Sequence, residues 1–318
     1  MLSMNKLLTP SMRFSNIVGN ASAKEHLNHL LDSGKVAHTL LFTGPSGIGK
    51  SLFATECGLS LMQVTRSDHP DLHHYKPQGK SAMHTVESMH ELQETLAHSP
   101  FEARCKVAII HSAERMLPSS SNALLKTLEE PTHNSFIILL SDDPDTLLPT
   151  ITSRCQKVLF SAIDETTLAS LLLDYPEEQR RRYARLSQGS YGRMRLLTSS
   201  RWKTLLPELI ALLQAQDALY LFKTLQRWEE EFAKLAEDPN CSWLEELNLL
   251  FSLIILWHRD CALLAQGGSK ELLFFPQDQC VARSFPLHTI LTLVEECQKA
   301  VQHNVKLRVA LHHLFTHA

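Results

Sequence analysis

The sequence predicts an α/β fold: a parallel-sheet domain built around a phosphate loop, then a small helical lid and a larger all-helical domain. Three observations predict it. Short, continuously apolar runs alternate with helical patterns over the first half of the chain. One of those runs leads directly into GPSGIGKS at 44–51. Beyond about Asp164 the strand signals fade and helical spacing takes over. Strands apolar on both faces, alternating with helices, imply a parallel sheet covered on each side.

The elements follow in order. AHTLLFTG (37–44) is a strand ending in a glycine turn, and GKSLFATECGLSLMQ (49–63) has helical spacing. KVAIIHSA (106–113) is a second strand. SSSNALLKTLEEP (119–131) is a helix with serine caps at its start and a proline just past its end. SFIILLSD (135–142) and CQKVLF (155–160) are the last strands. ETTLASLLLDY and EEQRRRYARLSQGSYGRMRLL form the small helical unit, with a turn at Gln188-Gly189-Ser190. From about Ser200 the pattern is helical to the end, with breaks at DPNC (238–241) and FFPQDQ (274–279). The domain boundaries expected are 1–162 for the α/β domain, 163–202 for the lid and 203–318 for the helical domain.

With 318 residues, 44% hydrophobic and 20% charged, the chain suits a globular protein of two or three domains. A net charge of −3 gives no support to independent nucleic-acid binding, although a local basic patch remains compatible with it. The seven cysteines are scattered and odd in number, and no CxxC occurs. That argues against a disulfide framework and a cysteine zinc site, and for reduced thiols in a cytoplasm. MLSMNKLLTPSMRF has no long apolar run and does not read as a signal peptide. LNLLFSLIILW (247–257) is too short to span a bilayer and reads as a buried helix, so no membrane association is expected.

The phosphate loop comprises Gly44, Pro45, Ser46, Gly47, Ile48, Gly49, Lys50 and Ser51. It follows a strand and opens a helix, which is the context GxxxxGK[ST] requires. The glycines let backbone N–H groups curl around phosphate oxygens. Lys50 would reach the β- and γ-phosphates, and Ser51 would ligate magnesium if nucleotide binds. The implied cofactor is ATP or ADP with magnesium, and no other metal is expected.

A phosphate-loop ATPase needs an Asp at the end of a neighbouring strand to hold magnesium, usually followed by an acid that orients water. Here VAII (107–110) ends in His111 and Ser112. Neutral imidazole is a poor ligand for hard magnesium, and a serine is no base. Glu114 lies two residues further on; a chain that bends back would bring it into the site, but its offset along the strand points it elsewhere. The pocket is therefore expected to bind nucleotide weakly or statically, without turnover. His69, His73, His74, His84 and His90 suggest a metal site, but His73 and His74 face opposite ways in an extended segment, so solvated or internally bonded histidines are expected. Glu129 and Glu130 could pass for paired catalytic acids, yet they end a helix just before Pro131.

RFSNIVGN (13–20), AHTLLFTGPSGIGKS (37–51), HPD (69–71), NALLKTLEEP (122–131), DPDTLLPTITSRC (143–155) and GSYGR (189–193) occur in the order seen in bacterial clamp-loader subunits. The chain resembles that family, of the AAA+ class, and within it the delta-prime type. WHRD (257–260) and NVKLRVALHHL (304–314) resemble the helical collar of that type, so the likeness runs along nearly the whole chain. The resemblance implies an AAA+ domain, a three-helix lid and a collar. It implies a hetero-pentamer with gamma/tau and delta subunits that loads a sliding clamp onto primed DNA. It also implies that Ser153, Arg154 and Cys155 form a partner interface, with Arg154 as an arginine finger acting on a neighbour's ATP. A guanidinium supplied in trans suits that role, since it can stabilise charge on a transferring phosphoryl group. The protein would then be a non-catalytic subunit of a DNA polymerase III holoenzyme and not an enzyme alone.

Three departures qualify the resemblance. The family's motor subunits carry Asp-Glu where this chain has His111-Ser112. Their nucleotide-sensing lid arginine falls on Gly192, with Arg193 beside it, expected to be solvated. Many relatives carry a four-cysteine zinc module before HPD, and here that module is missing, so no zinc is expected. The competing readings are an active gamma/tau-type ATPase, which His111-Ser112 opposes, and a small-molecule phosphate-loop kinase, which the SRC triplet and helical collar oppose. In the helical domain, apolar faces that include Leu250, Ile254 and Leu314 or their neighbours are expected to be buried against partners. Trp257, Arg259 and Asp260 are expected to combine packing with an ion pair.

Overall fold

The computed structural model describes residues 13–78, 83–132, 134–214, 217–237, 243–280, 286–303 and 305–317. The DPNC break at 238–241, the N-terminal segment before residue 13 and Asn304 fall outside them. The chain divides into two compact units. The first runs to Thr167 and adds Gly189–Gly192; the second holds Leu168–Gln188 and Arg193 onward.

The first unit is a five-stranded sheet of β1 (Thr39–Thr43), β2 (Leu72–Tyr75), β3 (Lys106–Ile110), β4 (Ser135–Ser141) and β5 (Gln156–Leu159), in the order β2-β3-β4-β1-β5. All four pairings are parallel. The alternation of side chains across a strand explains why it is apolar on both faces. Leu40, Phe42, Val107, Ile109, Ile138 and Leu140 pack with α1 (Ala21–Ser33) and α2 (Lys50–Met62). Their neighbours Leu41, Ala108, Ile110, Ile137 and Leu139 pack on the other face with α3 (Val86–Ala97), α4 (Pro118–Glu129) and α5 (Pro149–Thr152). This is a parallel α/β domain covered by helices on both faces.

One expected cap is absent. α4 starts from Leu117 with Pro118 at its first position, and no side chain caps it. Ser119–Ser121 lie inside the first turn, where the Ser120 hydroxyl donates to the carbonyl of His84 at 2.8 Å. Proline supplies the pre-set φ and lacks the N–H that a cap would satisfy.

Asp71 organises the approach to β3. Its buried carboxylate accepts from the N–H groups of Phe101, Glu102 and Ala103 at 2.7, 2.8 and 2.9 Å. Burial alone would raise its pKa, but these three donors and the nearby His69 hold it below the usual carboxylate range.

Three short helices follow the sheet, α6 (Glu165–Ser170), α7 (Glu177–Leu186) and α8 (Tyr191–Leu197), in the stretch expected to form the lid. α9 (Ser200–Gln214), α10 (Ala218–Glu237), α11 (Trp243–Ala265), α12 (Leu287–Gln302) and α13 (Leu307–His317) follow. Leu186 and Leu197 share one core with Trp202, Leu209, Trp228 and Ile254. α11 extends the apolar run 247–257 at both ends. By length and composition it could cross a membrane, but most of it is buried inside this unit. Its two buried carboxylates have partners, whereas His258 Nε2 is buried without one: Glu246 accepts from the Trp202 indole and from Arg201 at 2.9 Å. Asp260 accepts from Phe274 N–H at 2.6 Å and Phe275 N–H at 2.8 Å, and pairs with Arg259 at 2.8 Å. Trp257 donates to the Gln279 carbonyl at 2.7 Å.

Leu250, Ile254 and Leu314 are 1%, 0% and 0% exposed, which corrects their expected role as partner-facing residues. α11 is covered within the chain on nearly every side. The apolar groups that face solvent here include Leu219, Phe222, Leu272, Leu291, Val305 and Val309, at 60%, 45%, 52%, 42%, 40% and 54% exposure.

Candidate functional site

β1 delivers the chain into the loop 44–51. Gly44 has φ 149° and a Cβ there would lie 2.3 Å from the Phe160 carbonyl oxygen, so the tight exit from β1 excludes a side chain. Gly47 has φ 72°, and a Cβ would lie 2.3 Å from Ser190 Oγ. The Gly192 N–H donates to the Gly47 carbonyl at 2.8 Å, so the Ser190–Gly192 turn rests directly on the loop. Gly49, also left-handed, leads into α2, whose first turn has no side-chain cap. Uncapped N–H groups at a helix start, beside a curled glycine loop, suit phosphate oxygens.

Lys50 is 6% exposed and bonded on all sides. Its Nζ donates to the carbonyls of Gly44 at 2.5 Å and Pro45 at 2.7 Å, and to Asp142 Oδ1 at 2.6 Å. Asp142 was not singled out in the sequence, although a signal was present. Thr43 pairs with Ser141 across β1 and β4, so the residue after β4 stands beside the first loop glycine.

β3 ends as the sequence suggests, in His111 and Ser112. The His111 Nε2 lies 3.1 Å from His74 Nδ1, and its carbonyl is 2.7 Å from His84 Nε2. Burial, reinforced by His74, Lys76 and His84, lowers the His111 pKa to about 4. His74 and His84 are also lowered, chiefly by burial. Among the described residues no group of three or more His, Cys, Asp or Glu is placed to hold a metal ion. His69 Nδ1 accepts from the Asp71 N–H at 3.1 Å, and His90 Nδ1 lies 3.2 Å from Gln93 Oε1.

Glu114 departs from expectation. Ser112 is left-handed, with φ 49°, and opens a short 3-10 turn over Ala113–Arg115. That turn carries Glu114 back to the end of β4, where Oε2 accepts from the Asp142 N–H at 3.4 Å. Burial raises its pKa, and the Asp142 charge adds to the rise. An extended strand would have pointed it away; the reversal of φ at Ser112 turns it in.

Arg154 follows α5. Its guanidinium donates to the Thr150 carbonyl at 2.8 Å and to Glu129 Oε1 at 2.6 Å. Its side chain remains 36% exposed. Ser153 ends the helix, with its hydroxyl donating to the Thr150 carbonyl at 3.2 Å. The Cys155 thiol donates to the Ile151 carbonyl at 3.1 Å, and burial pushes its pKa up to about 12, so it is no nucleophile. Glu129 is thus more than a helix end. Arg193 donates to Gln188 Oε1 at 2.7 Å within the second unit and is half-buried, not simply solvated.

Residues 55–164 match the family described as "DNA polymerase III, delta subunit". The delta' subunit of DNA polymerase III from Bacillus subtilis is 30% identical over 164 residues, covering 46% of this chain and 49% of that protein. The Haemophilus influenzae delta' subunit is 32% identical over 142 residues, covering 39% of this chain and 43% of that protein. The tau subunit from Escherichia coli is 29% identical over 168 residues, covering 48% and 26%. The matched segment is thus half or less of the length of these relatives. A solved gamma subunit-related protein from Thermotoga maritima aligns over 92% of this chain and 97% of that one, with 18% identity and a TM-score of 0.49.

Proposed function

We propose that this chain, a delta-prime-type relative of the DNA polymerase III clamp-loader subunits, acts in a cytoplasmic hetero-pentamer with gamma/tau- and delta-type subunits. In that assembly it helps place a sliding clamp on primed DNA. Its own phosphate loop, holding ATP, ADP or neither, does not turn nucleotide over. Its catalytic contribution runs outward, through Arg154 in the Ser153-Arg154-Cys155 triplet to a neighbour's ATP. The N-terminal α/β domain (1–162) carries the site, and the lid (163–202) follows it in the chain. The helical domain (203–318) carries assembly, through the exposed Leu219, Phe222, Val305 and Val309 in place of the buried Leu250, Ile254 and Leu314 first expected.

One observation carries this reading. β3 ends in a neutral, buried imidazole where magnesium needs an oxygen ligand, whereas Arg154 keeps an exposed guanidinium at the end of α5. A guanidinium stays charged at any physiological pH and suits charge developing on a phosphoryl group. Any magnesium would fall to Ser51 with the nucleotide oxygens.

A second reading, an active gamma/tau-type ATPase, draws support from Glu114, which the Ser112 turn brings to the end of β4. Mixing the purified chain with delta-type and gamma/tau-type subunits tests the choice. The proposal expects a stable complex, clamp loading that requires this chain, and no ATPase above background from the chain alone. Robust turnover by the chain alone favours the second reading.

A further inference from the structure

We propose that Asp142 is an internal occupant of the phosphate loop: its carboxylate takes the Lys50 donor that a nucleotide phosphate would need, and so keeps the loop closed to triphosphates. The inference rests on reading 44–51 as a phosphate loop, and is independent of the role of Arg154.

An ammonium group has three N–H donors and no more. Lys50 uses them on the Gly44 carbonyl, the Pro45 carbonyl and Asp142 Oδ1, at 2.5, 2.7 and 2.6 Å. Two of those partners belong to the loop itself, so closing the loop around its own lysine leaves the third donor as the one available to a ligand. Asp142 holds it. The lysine is 6% exposed, so a phosphate cannot simply approach from another side.

Charge points the same way. A phosphate loop attracts anions because its lysine adds a positive charge to the backbone donors. Here the Asp142 carboxylate cancels that charge, and Glu114, bonded to the Asp142 N–H, adds a second carboxyl group at the same point. An arriving terminal phosphate would displace one acid from Lys50 and then lie against both. The site is polar and correctly shaped, but electrostatically filled.

The latch is reversible by construction. The Asp142 side chain is 42% exposed, so it can turn out to water without breaking packing. It follows β4 directly, and a partner or conformational change that moves the end of β4 would open the loop.

The test titrates the full chain with a fluorescent ATP analogue and magnesium, read by anisotropy. Variants are Asp142→Asn, Asp142→Ser, Lys50→Ala and the Asp142→Asn/Lys50→Ala double. Both Asp142 variants are expected to bind about tenfold or more tighter than the parent, since a charge-assisted bond no longer competes. The double variant is expected to lose that gain. Weaker binding by Asp142→Asn would make Asp142 a magnesium ligand and overturn the proposal. Binding equal to the parent, and abolished by Lys50→Ala, would overturn the latch and leave the phosphate-loop reading standing. Binding that none of the four variants alters would remove the phosphate-loop reading and the latch with it. Far-UV circular dichroism establishes that each variant is folded before its titration is read.

Discussion

The Arg154 guanidinium is held between Glu129 Oε1 at 2.6 Å and the Thr150 carbonyl at 2.8 Å, so the ends of α4 and α5 aim one exposed arginine together. The two side chains are 36% and 50% exposed, and an ion pair of that kind is worth about 0–1 kcal/mol. Arg154→Ala and Glu129→Ala should therefore shift the melting temperature by less than about 4 °C. Differential scanning fluorimetry checks this. A drop well beyond that range would make the pair part of the fold, and loss of function in either variant would then say little about chemistry.

Asp71 behaves oppositely. It is buried, and three backbone N–H groups depend on it. Asp71→Ala strands those donors and should cost about 2–5 kcal/mol, measured by urea unfolding. Because its folded-state pKa is depressed, its contribution is present above the unfolded carboxylate value and is lost as pH falls below it. An Asp71→Ala protein as stable as the parent would remove this carboxylate from the account of the fold.

Histidines set an earlier loss on acidification. His111 and His258 titrate near pH 4 in the folded protein, held down by burial, and His74 and His84 are lowered in the same direction. An unfolded histidine titrates near 6.5. Between those values the unfolded chain binds more protons, so stability falls as pH drops from about 6.5 toward 4. His111→Gln should flatten that slope in urea midpoints measured across the range. A slope unchanged in this variant would mean that His111 is not neutral in the fold.

The core shared by Leu186, Leu197, Trp202 and Leu209 has a consequence for fragments. A chain cut at residue 200 would keep the lid helices and lose what they pack against within their unit. Residues 1–200 should therefore bind a hydrophobic dye and be digested rapidly from about Leu168 onward in limited proteolysis. Resistance equal to the full chain would show that the lid folds without α9.

Much of this was legible in the sequence. β1, β3 and β4 were readable because central parallel strands are apolar on both faces, the edge strand β5 from its short VLF run, and α2 because a glycine loop opens it. β2 was harder: LHHY places two histidines in a strand. The phosphate loop and the arginine of SRC were visible as motifs. Their partners were not, because Glu129–Arg154, Lys50–Asp142 and Glu114–Asp142 join residues 25, 92 and 28 positions apart, and no local pattern encodes them. The return of Glu114 depended on a single left-handed residue, Ser112, a position that any strand-based reading treats as extended.

In the proposed assembly, catalysis runs outward through Arg154 and not inward through Lys50. The most direct measurement is DNA- and clamp-stimulated ATPase of the reconstituted complex, carrying Arg154→Ala or Lys50→Ala in this chain alone. An arginine supplied in trans is worth on the order of 10³–10⁵ in rate at its own site, with a smaller loss when several sites are summed. Arg154→Ala is expected to leave the complex assembled, lower stimulated ATPase and impair clamp loading, while Lys50→Ala does much less. Wild-type loading with Arg154→Ala, together with loss of loading in Lys50→Ala, would contradict it and make the GPSGIGKS loop the working engine.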